Sequence, residues 1–451
     1  MVDAVSPTRD ALLPQWHDAL AFAAEQARRI LTSYPGYYPM YTVGGKWNRE
    51  GERWTHWCEG FFPGILWLLH KHTGDPEWRR WAEEYSRPLE PRKHDRTVHD
   101  LGFIFFSTYL RWYRLTGDAA LREVLIEAGR TLALRRQKGG YLASFVGPQS
   151  LFIDIMMNVG LIFWAANATG DDHLRQVALE HCRTTAKYLV RPDGGTAHEG
   201  IFDVATGQFL RQSTHQGWKP ESTWSRGLAW ALYGFTAAHR LSGEEEFLAT
   251  ARRCADFYLR RAPAGLVPYW DFDLPPPSPL PSPPAAGGEG KGFSSPLPSR
   301  GEEGKGFSSP LPSRGEEGKG FSSPLPPRGE EGKGFSSPLP PRGGEGKGEG
   351  GLHLWDSSAG AIAASGLWDL AEAVSDPAEQ ERYRGAALTI LQTLCSDRFL
   401  ARGRPEWEGI LLHGVYHYHK GLGVDESVAW GEHFFVEALV KAAAGRSEAA
   451  W

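Results

Sequence analysis

Residues 99–136 read HDLGFIFFSTYLRWYRLTGDAALREVLIEAGRTLALRR, and this stretch sets the pattern for the chain. Its first part, His99–Leu115, is apolar nearly all round, with Ile104, Phe105, Phe106, Tyr109, Leu110 and Trp112. A helix that is apolar on every face is a buried helix. Its second part, Ala119–Arg136, carries Arg and Glu along one stripe, which predicts a helix with one wet face. Between them stands Thr116-Gly117-Asp118. The glycine takes the left-handed turn that ends one helix, and the aspartate caps the next.

The same junction recurs at Thr73-Gly74-Asp75, Thr169-Gly170-Asp171 and Ser242-Gly243-Glu244, with a weaker form at Val374-Ser375-Asp376-Pro377. Buried helices are expected over Gly60–His72, Asp154–Ala168, Ser225–Leu241, Asp356–Ala373 and Asp425–Ala444. Amphipathic helices are expected over Gln15–Thr32, Pro76–Leu89, Asp172–Val190, Glu245–Arg261 and Ala378–Cys395. With the pair in 99–136 this makes twelve helices in six pairs. The expected fold is all-α, an (α/α) six-hairpin barrel of six inner and six outer helices.

One segment departs from this pattern. Between Leu274 and Gly350 a 14-residue unit, GEEGKGFSSPLPSR at 301–314, recurs at 315–328 and 329–342, after a variant at 287–300. The period is too short for a solenoid repeat. Phe and Leu are its only sizeable apolar residues, too little burial to offset the entropy of ordering. The expectation is a disordered low-complexity insertion at 274–350 inside a single catalytic barrel formed by 1–273 and 351–451. A Pro-rich partner-binding segment is the alternative.

Composition excludes several classes. Lys+Arg 49 against Asp+Glu 54 gives a net charge of -5, which offers no electrostatic footprint for nucleic acid or an anionic membrane surface. No apolar run approaches the roughly 20 residues of a membrane span. The start, MVDAVSPTRDALLPQW, lacks the basic and apolar regions of a signal peptide, so a cytoplasmic location is expected. Cys58, Cys182, Cys254 and Cys395 form no CxxC, hence neither a zinc site nor a disulfide framework.

The long loops of such a barrel run from each outer helix to the next inner one, and they hold nearly every unusual polar residue. They contain Trp54 to Gly60, His99-Asp100, Asp154, His198, Thr214-His215-Gln216-Gly217, Ser222 to Arg226, Asp356-Ser357-Ser358 and Asp425-Glu426-Ser427. All would converge on one mouth, where the inner-helix N-termini favour an anionic ligand. Capping is the commonest role of an aspartate at a helix start, and Asp356 and Asp425 fit it well. Asp100 and Asp154 fit it less well, because each sits in an apolar context. Asp154, between Ile153 and Ile155, should have a raised pKa by desolvation, which suits a general acid. Trp54, Trp57, Trp218 and Trp224 read as packing or as stacking platforms for sugar rings. Arg226 reads as a local partner of Glu221 or as a planar fork for a substrate carboxylate. His413, His417 and His419 lack helical spacing and an obvious carboxylate partner, which argues against a metal site.

HDLGF (99–103), LFIDIMMN (151–158), THQG (214–217), STWSRGLAW (222–230), VPYWDF (267–272), WDSSAGAIAASGL (355–367) and GVDESVAWGEHFFVEAL (423–439) together resemble the unsaturated glucuronyl hydrolases, glycoside hydrolase family 88. The similarity spans about residues 15 to 445 apart from the insertion. It implies the same six-hairpin barrel. It implies that Asp154 and Asp100 are the key aspartates, with Asp154 the acid/base. His99 lies in the first motif. His198, Gln216 and Arg226 match substrate-contact positions, and Trp57 the stacking residue. Trp224, in STWSRG, joins the expected substrate-binding set. Two departures stand out: Trp57-Cys58-Glu59-Gly60-Phe61-Phe62 where the family has W-T-x-G-F-W, and Trp355 where an Arg usually precedes DSSA.

The implied substrate is an oligosaccharide whose non-reducing end is a 4,5-unsaturated uronic acid, made by a polysaccharide lyase. Its vinyl ether would be hydrated, with no metal, nucleotide or other cofactor. The spacing rule for paired carboxylates in ordinary glycosidases does not apply to such a hydration. Three other readings compete with this one: an unsaturated rhamnogalacturonyl hydrolase, a sugar epimerase or isomerase using His198 and His215, and a non-catalytic sugar-binding protein.

Overall fold

The computed structural model describes residues 8–50, 57–275 and 353–445. The repeat, and Trp54 with the rest of 51–56, lie outside the described residues. In chain order the helices are α1 (Arg9–Ser33), α2 (Phe61–Thr73), α3 (Pro76–Ser86), α4 (Leu101–Phe105), α5 (Arg111–Thr116), α6 (Ala119–Ala133), α7 (Gly160–Thr169), α8 (Asp172–Tyr188), α9 (Ser225–Ser242), α10 (Glu245–Arg261), α11 (Ser357–Ala373), α12 (Pro377–Leu394) and α13 (Ala429–Ala444). A π-helical turn, Phe106–Leu110, joins α4 to α5, so the two make one inner rod.

The inner helices close a ring. α2 packs on the α4–α5 rod, α4 on α7, α7 on α9, α9 on α11, α11 on α13, and α13 back on α2. Helices α1, α3, α6, α8, α10 and α12 lie outside it. The burial follows the sequence pattern. Every residue of α9 from Ser225 to Ala238 is buried, whereas α10 buries the stripe Phe247, Ala251, Cys254, Ala255 and Tyr258.

The short junctions fold as their chemistry dictates. Gly74, Gly117, Gly170 and Gly243 all have φ between 68° and 78°. Asp75, Asp118, Asp171 and Asp376 each cap the following helix through the carboxylate, while Glu244 makes no side-chain cap. At the opposite end the long loops form three small antiparallel sheets that the helical periodicity did not foreshadow. They are β1 (Thr42–Val43) with β2 (Lys46–Trp47); β3 (Ser150–Phe152), β4 (Glu199–Phe202) and β5 (Phe209–Ser213); and β6 (Gly414–His417) with β7 (Leu422–Glu426).

Three helix starts differ from expectation by more than two residues, the first being α1, which begins at Arg9 instead of Gln15. Asp154 does not open a helix: β3 runs into a 3-10 turn, Ile153–Met157, and α7 begins only at Gly160. The cause is strand pairing, since β3 lies against β4 and Ile153 N donates to His198 O at 3.0 Å. Asp425 lies on β7 at φ 62°, and α13 begins at Ala429.

Aromatic rings plug the barrel under the mouth. Phe103 of α4 meets Trp230 of α9 at 5.0 Å between centroids, Trp230 meets Phe434 of α13 at 5.4 Å, and Phe61 of α2 meets Phe103 at 5.3 Å. Each such pair contributes about 0.5–1.5 kcal/mol beyond its buried area. Toward the helix C-termini the interior turns polar. Lys441 Nζ donates to Tyr233 Oη (2.7 Å) and Ser365 Oγ (2.9 Å) and pairs with Asp369 (3.0 Å). Arg111 pairs with Glu437 at 2.7 Å, and these cations hold the Glu437 carboxyl well below the usual carboxylate range. Charges so buried are tolerable only when paired.

The chain leaves for the insertion and returns at one place. Trp270 N donates to Leu354 O and Asp356 N to Pro268 O, both at 2.9 Å. His353 Nε2 meets Pro275 O at 2.7 Å, and the residues on either side pack into one compact unit. No helix among the described residues is long and apolar enough to cross a membrane.

Candidate active site

The long-loop mouth holds a pocket lined by Trp57, His99, Asp100, Phe145, Phe152, Asp154, Gln216, Arg226 and Tyr416. Six of the eight residues expected from the sequence are in that wall: Trp57, His99, Asp100, Asp154, Gln216 and Arg226. His198 and Trp224 stand immediately behind it.

Asp100 sits at the N-terminus of α4 without capping it, and Asp154 lies in the 3-10 turn. Asn158 ties the two segments together. Its Oδ1 accepts from Phe103 N at 2.9 Å, and its Nδ2 donates to Asp154 O at 3.1 Å. Gly102 permits this approach, because a Cβ there would come within 2.6 Å of Asn158 Cα. The HDLGF and FIDIMMN motifs are therefore one joint seen from its two sides.

Both carboxyls are held toward their protonated forms. Burial raises Asp154 to about 6, against a smaller lowering pull from Arg226. Burial raises Asp100 well above the carboxylate range, and the charge of Asp154 adds to it. Asp154 Oδ2 is buried with no hydrogen-bond partner among the described residues.

Each carboxyl faces an imidazole of fixed tautomer. His198 Nδ1 accepts from His215 N (3.0 Å) and Gln216 N (3.3 Å), so the neutral ring carries its proton on Nε2, 3.7 Å from Asp154 Oδ2. His99 Nδ1 accepts from Phe145 N at 3.1 Å, and its Nε2 faces Asp100 Oδ1 at 3.3 Å. Burial lowers both histidines well below their ordinary value, so both rings are neutral.

Arg226 is built into the wall. Nη1 donates to Val415 O and to Asp356 Oδ2 (3.3 Å); Nη2 donates to Gln216 Oε1 (2.5 Å) and Tyr416 O (2.8 Å). The guanidinium lies 4.3 Å over Trp224. Its partner is Asp356, not the neighbouring Glu221, and both Nη atoms are already committed to protein acceptors. The expected two-point grip on a substrate carboxylate therefore finds no free Nη pair. The bound Gln216 Oε1 instead leaves the Gln216 amide nitrogen as a donor in the pocket wall.

Trp224 is 2% exposed, wedged between Arg226 and His198 (4.8 Å between rings), so it supports the wall and presents no face to a sugar. Trp57 is half-buried in the wall against Trp430 at 4.8 Å, with its position open to the pocket. Trp218 is half-buried, and its backbone N–H donates to buried Asp271 Oδ2 at 2.9 Å. His215 turns to Glu199, 3.3 Å away, and does not pair with His198 across the pocket.

Sequence reasoning missed Phe145, which sits in a turn, and Phe152 and Tyr416, which sit on the short strands β3 and β6 that helical periodicity does not signal. Asp356 does cap α11 through Oδ1, as expected, but it also binds Arg226. Asp425 does not cap; it pairs with His413 at 2.6 Å. So the fold supplies a carboxylate partner that the sequence spacing did not show. His419 Nε2 is engaged with Gly217 O at 2.7 Å, and no cluster among the described residues could hold a metal ion.

Comparison with known proteins bears on this pocket. Residues 29–271 match the profile of the family described as Glycosyl Hydrolase Family 88. The chain is 28% identical to the unsaturated glucuronyl hydrolase of Bacillus sp. (strain GL1), over 94% of this chain and 96% of that protein. It is 29% identical to the unsaturated chondroitin disaccharide hydrolase of Streptococcus agalactiae, over 86% of this chain and 81% of that protein. Among solved structures, the Bacillus sp. GL1 enzyme superposes with a TM-score of 0.72 at 28% identity, covering 94% of this chain and 96% of that one. An unsaturated glucuronyl hydrolase specific for heparin superposes with a TM-score of 0.73 at 26% identity, covering 96% and 97%.

Proposed function

The chain belongs to glycosyl hydrolase family 88, and from that premise we propose that it releases a 4,5-unsaturated uronic acid from the non-reducing end of lyase-generated oligosaccharides. The observation that carries this reading is the Asp154 carboxyl: half-buried, pushed up to about 6, with Oδ2 buried and unpartnered among the described residues, in a pocket beside Asp100. A carboxyl in that state is a proton donor near neutral pH.

The chemistry needs one such group. Asp154 gives its proton to C4 of the vinyl ether, leaving positive charge shared between C5 and the ring oxygen. Water adds at C5 and returns a proton to the Asp154 carboxylate. The product is a hemiketal, which opens and frees the rest of the chain as an alcohol. While Asp154 is ionised, the N–H of His198 Nε2 and the charge of Arg226 steady it. On this reading Asp100 takes hydrogen bonds from sugar hydroxyls, Gln216 donates to the substrate, and Trp57 packs on a ring.

The test is the loss of ultraviolet absorbance of the conjugated double bond. It should be run on unsaturated disaccharides from chondroitin, hyaluronan, heparin, gellan and rhamnogalacturonan. Loss on at least one uronyl-hexosamine or uronyl-glucose substrate is expected. No loss on any of them, or loss only on the rhamnogalacturonan product, would sink the reading.

A further inference from the structure

Asp356 is more than a helix cap. Its carboxylate is fully buried and divided between two tasks. Oδ1 accepts from Ser358 N (3.1 Å) and Ser358 Oγ (2.5 Å) at the start of α11, while Oδ2 faces Arg226 Nη1 at 3.3 Å. A cap alone would use only the first oxygen. The second ties α11 to the cation that the β6 carbonyls of Val415 and Tyr416 and the side chain of Gln216 also hold. Arg226 is the one guanidinium in the described wall of the pocket, and it is the largest charged influence on Asp154.

We propose that Asp356 is a positioning residue for the reaction: by pinning Arg226 and offsetting its charge, it sets the pH range over which Asp154 keeps its proton. This rests on the reading of Asp154 as the proton donor. The groups around Asp154 are Arg226 from α9, His198 ahead of β4, and Asp100 from α4; the two imidazoles nearby, His198 and His99, are neutral. Around Arg226 stand Asp356, Asp154, Tyr416, Gln216 and the neutral His198 and His417. Asp356 is thus the carboxyl in direct contact with Arg226; burial raises it, and the Arg226 charge with the Ser358 and Ala359 hydrogen bonds pulls it back toward the ionised form. Take it away, and the undiminished positive charge of Arg226 favours the Asp154 carboxylate.

The test is Asp356→Asn, which retains an oxygen to cap α11 but removes the charge. The direct readout is the Asp154 carboxyl titration by NMR on protein labelled with 13C-aspartate, assigned by the signal that Asp154→Asn loses. This needs no substrate, so a failure of the functional reading, seen as no turnover, is separable from a failure of the proposal. Asp154 should titrate about one pH unit lower in Asp356→Asn. The alkaline limb of kcat/KM should move with it. In an Arg226→Gln background, adding Asp356→Asn should move Asp154 no further. An unmoved titration in the single variant overturns the proposal, and so does an equal shift in the Arg226→Gln background, which would mean a direct field. If Asp356→Asn alone does not fold, Arg226→Gln and the double variant, which lacks both charges of the pair, still decide. Equal Asp154 titration in those two supports the proposal; a lower one in the double variant overturns it.

Discussion

His198 points Nε2 at Asp154 Oδ2 across 3.7 Å, and neither atom has a hydrogen-bond partner among the described residues. The gap is too long for a hydrogen bond, and the backbone amides of His215 and Gln216 hold the ring from behind. The protonated acid is left unassisted, and its conjugate base meets a fixed N–H dipole. That is the asymmetry a proton donor needs when charge develops on it.

Asp154→Asn should therefore abolish turnover while leaving folding and binding nearly intact. The amide is close in shape but has no acidic proton, so a fall of several orders of magnitude in kcat is expected. Steady-state kinetics on the purified variant check this. Retention of more than about a tenth of wild-type kcat would remove Asp154 from its assigned role.

The pH profile should fall on its alkaline side. The donor form of Asp154 is the protonated one, and its folded pKa is about 6. kcat/KM should accordingly drop tenfold per pH unit well above that value, at about 8 and beyond. The profile belongs to Asp154 and Asp100 together, since burial and the Asp154 charge raise Asp100 as well. A flat profile between pH 6 and about 9 would contradict a carboxylic acid donor.

Arg226→Lys should cost activity and stability together. Lysine cannot serve Asp356, Val415, Tyr416 and Gln216 at once. Breaking a buried charge network of this kind typically costs about 3–5 kcal/mol. The losses should be similar for the unsaturated substrate and its methyl ester, because both Nη atoms are bound to protein. A loss confined to the free acid, without a change in melting temperature, would show that Arg226 reads the substrate carboxylate.

Glu432→Gln should flatten the pH dependence of stability. Glu432 is buried in the first turn of α13, accepts from Ile410 N and is raised from 4.5 to about 8 by desolvation. Its folded form favours the proton more than its unfolded form does. The penalty for ionising it starts as pH rises above 4.5, grows up to about 8, and stays constant beyond. Wild-type stability should lose on the order of a few kcal/mol across that window from this group, and the glutamine variant should not. Parallel melting curves of the two proteins from pH 5 to about 8 would refute it.

Deleting 276–352 and joining Pro275 to His353 with a short Gly-Ser linker should leave melting temperature and turnover close to wild type. Pro275 O and His353 Nε2 already meet at 2.7 Å, and Trp270 and Leu354 pair just behind them. Closing a short loop there costs little entropy. A large fall in either quantity would show that the removed residues contribute contacts to the barrel.

The helix pairs were legible in the sequence because their signals are local. A left-handed glycine, an acidic cap and a 3.6-residue apolar stripe act within a few residues, and Thr116-Gly117-Asp118 folds as those rules require. Asp100 and Asp154 were legible for a similar reason, since apolar neighbours foretell desolvation. The turn at Asp154 was not: LFI in 151–153 is too short to tell strand from helix until β4 lies beside it. Nor was the role of Arg226, whose acceptors include Asp356 and Tyr416 O, the latter 190 residues away in the chain. Trp224 looked like a sugar platform until the fold placed Arg226 on one side of it and His198 on the other. Local periodicity and capping determine which segments are helices and which faces are buried. Which polar groups remain free to act is decided by long-range hydrogen bonding, because a donor is available only when no other part of the folded chain has satisfied it.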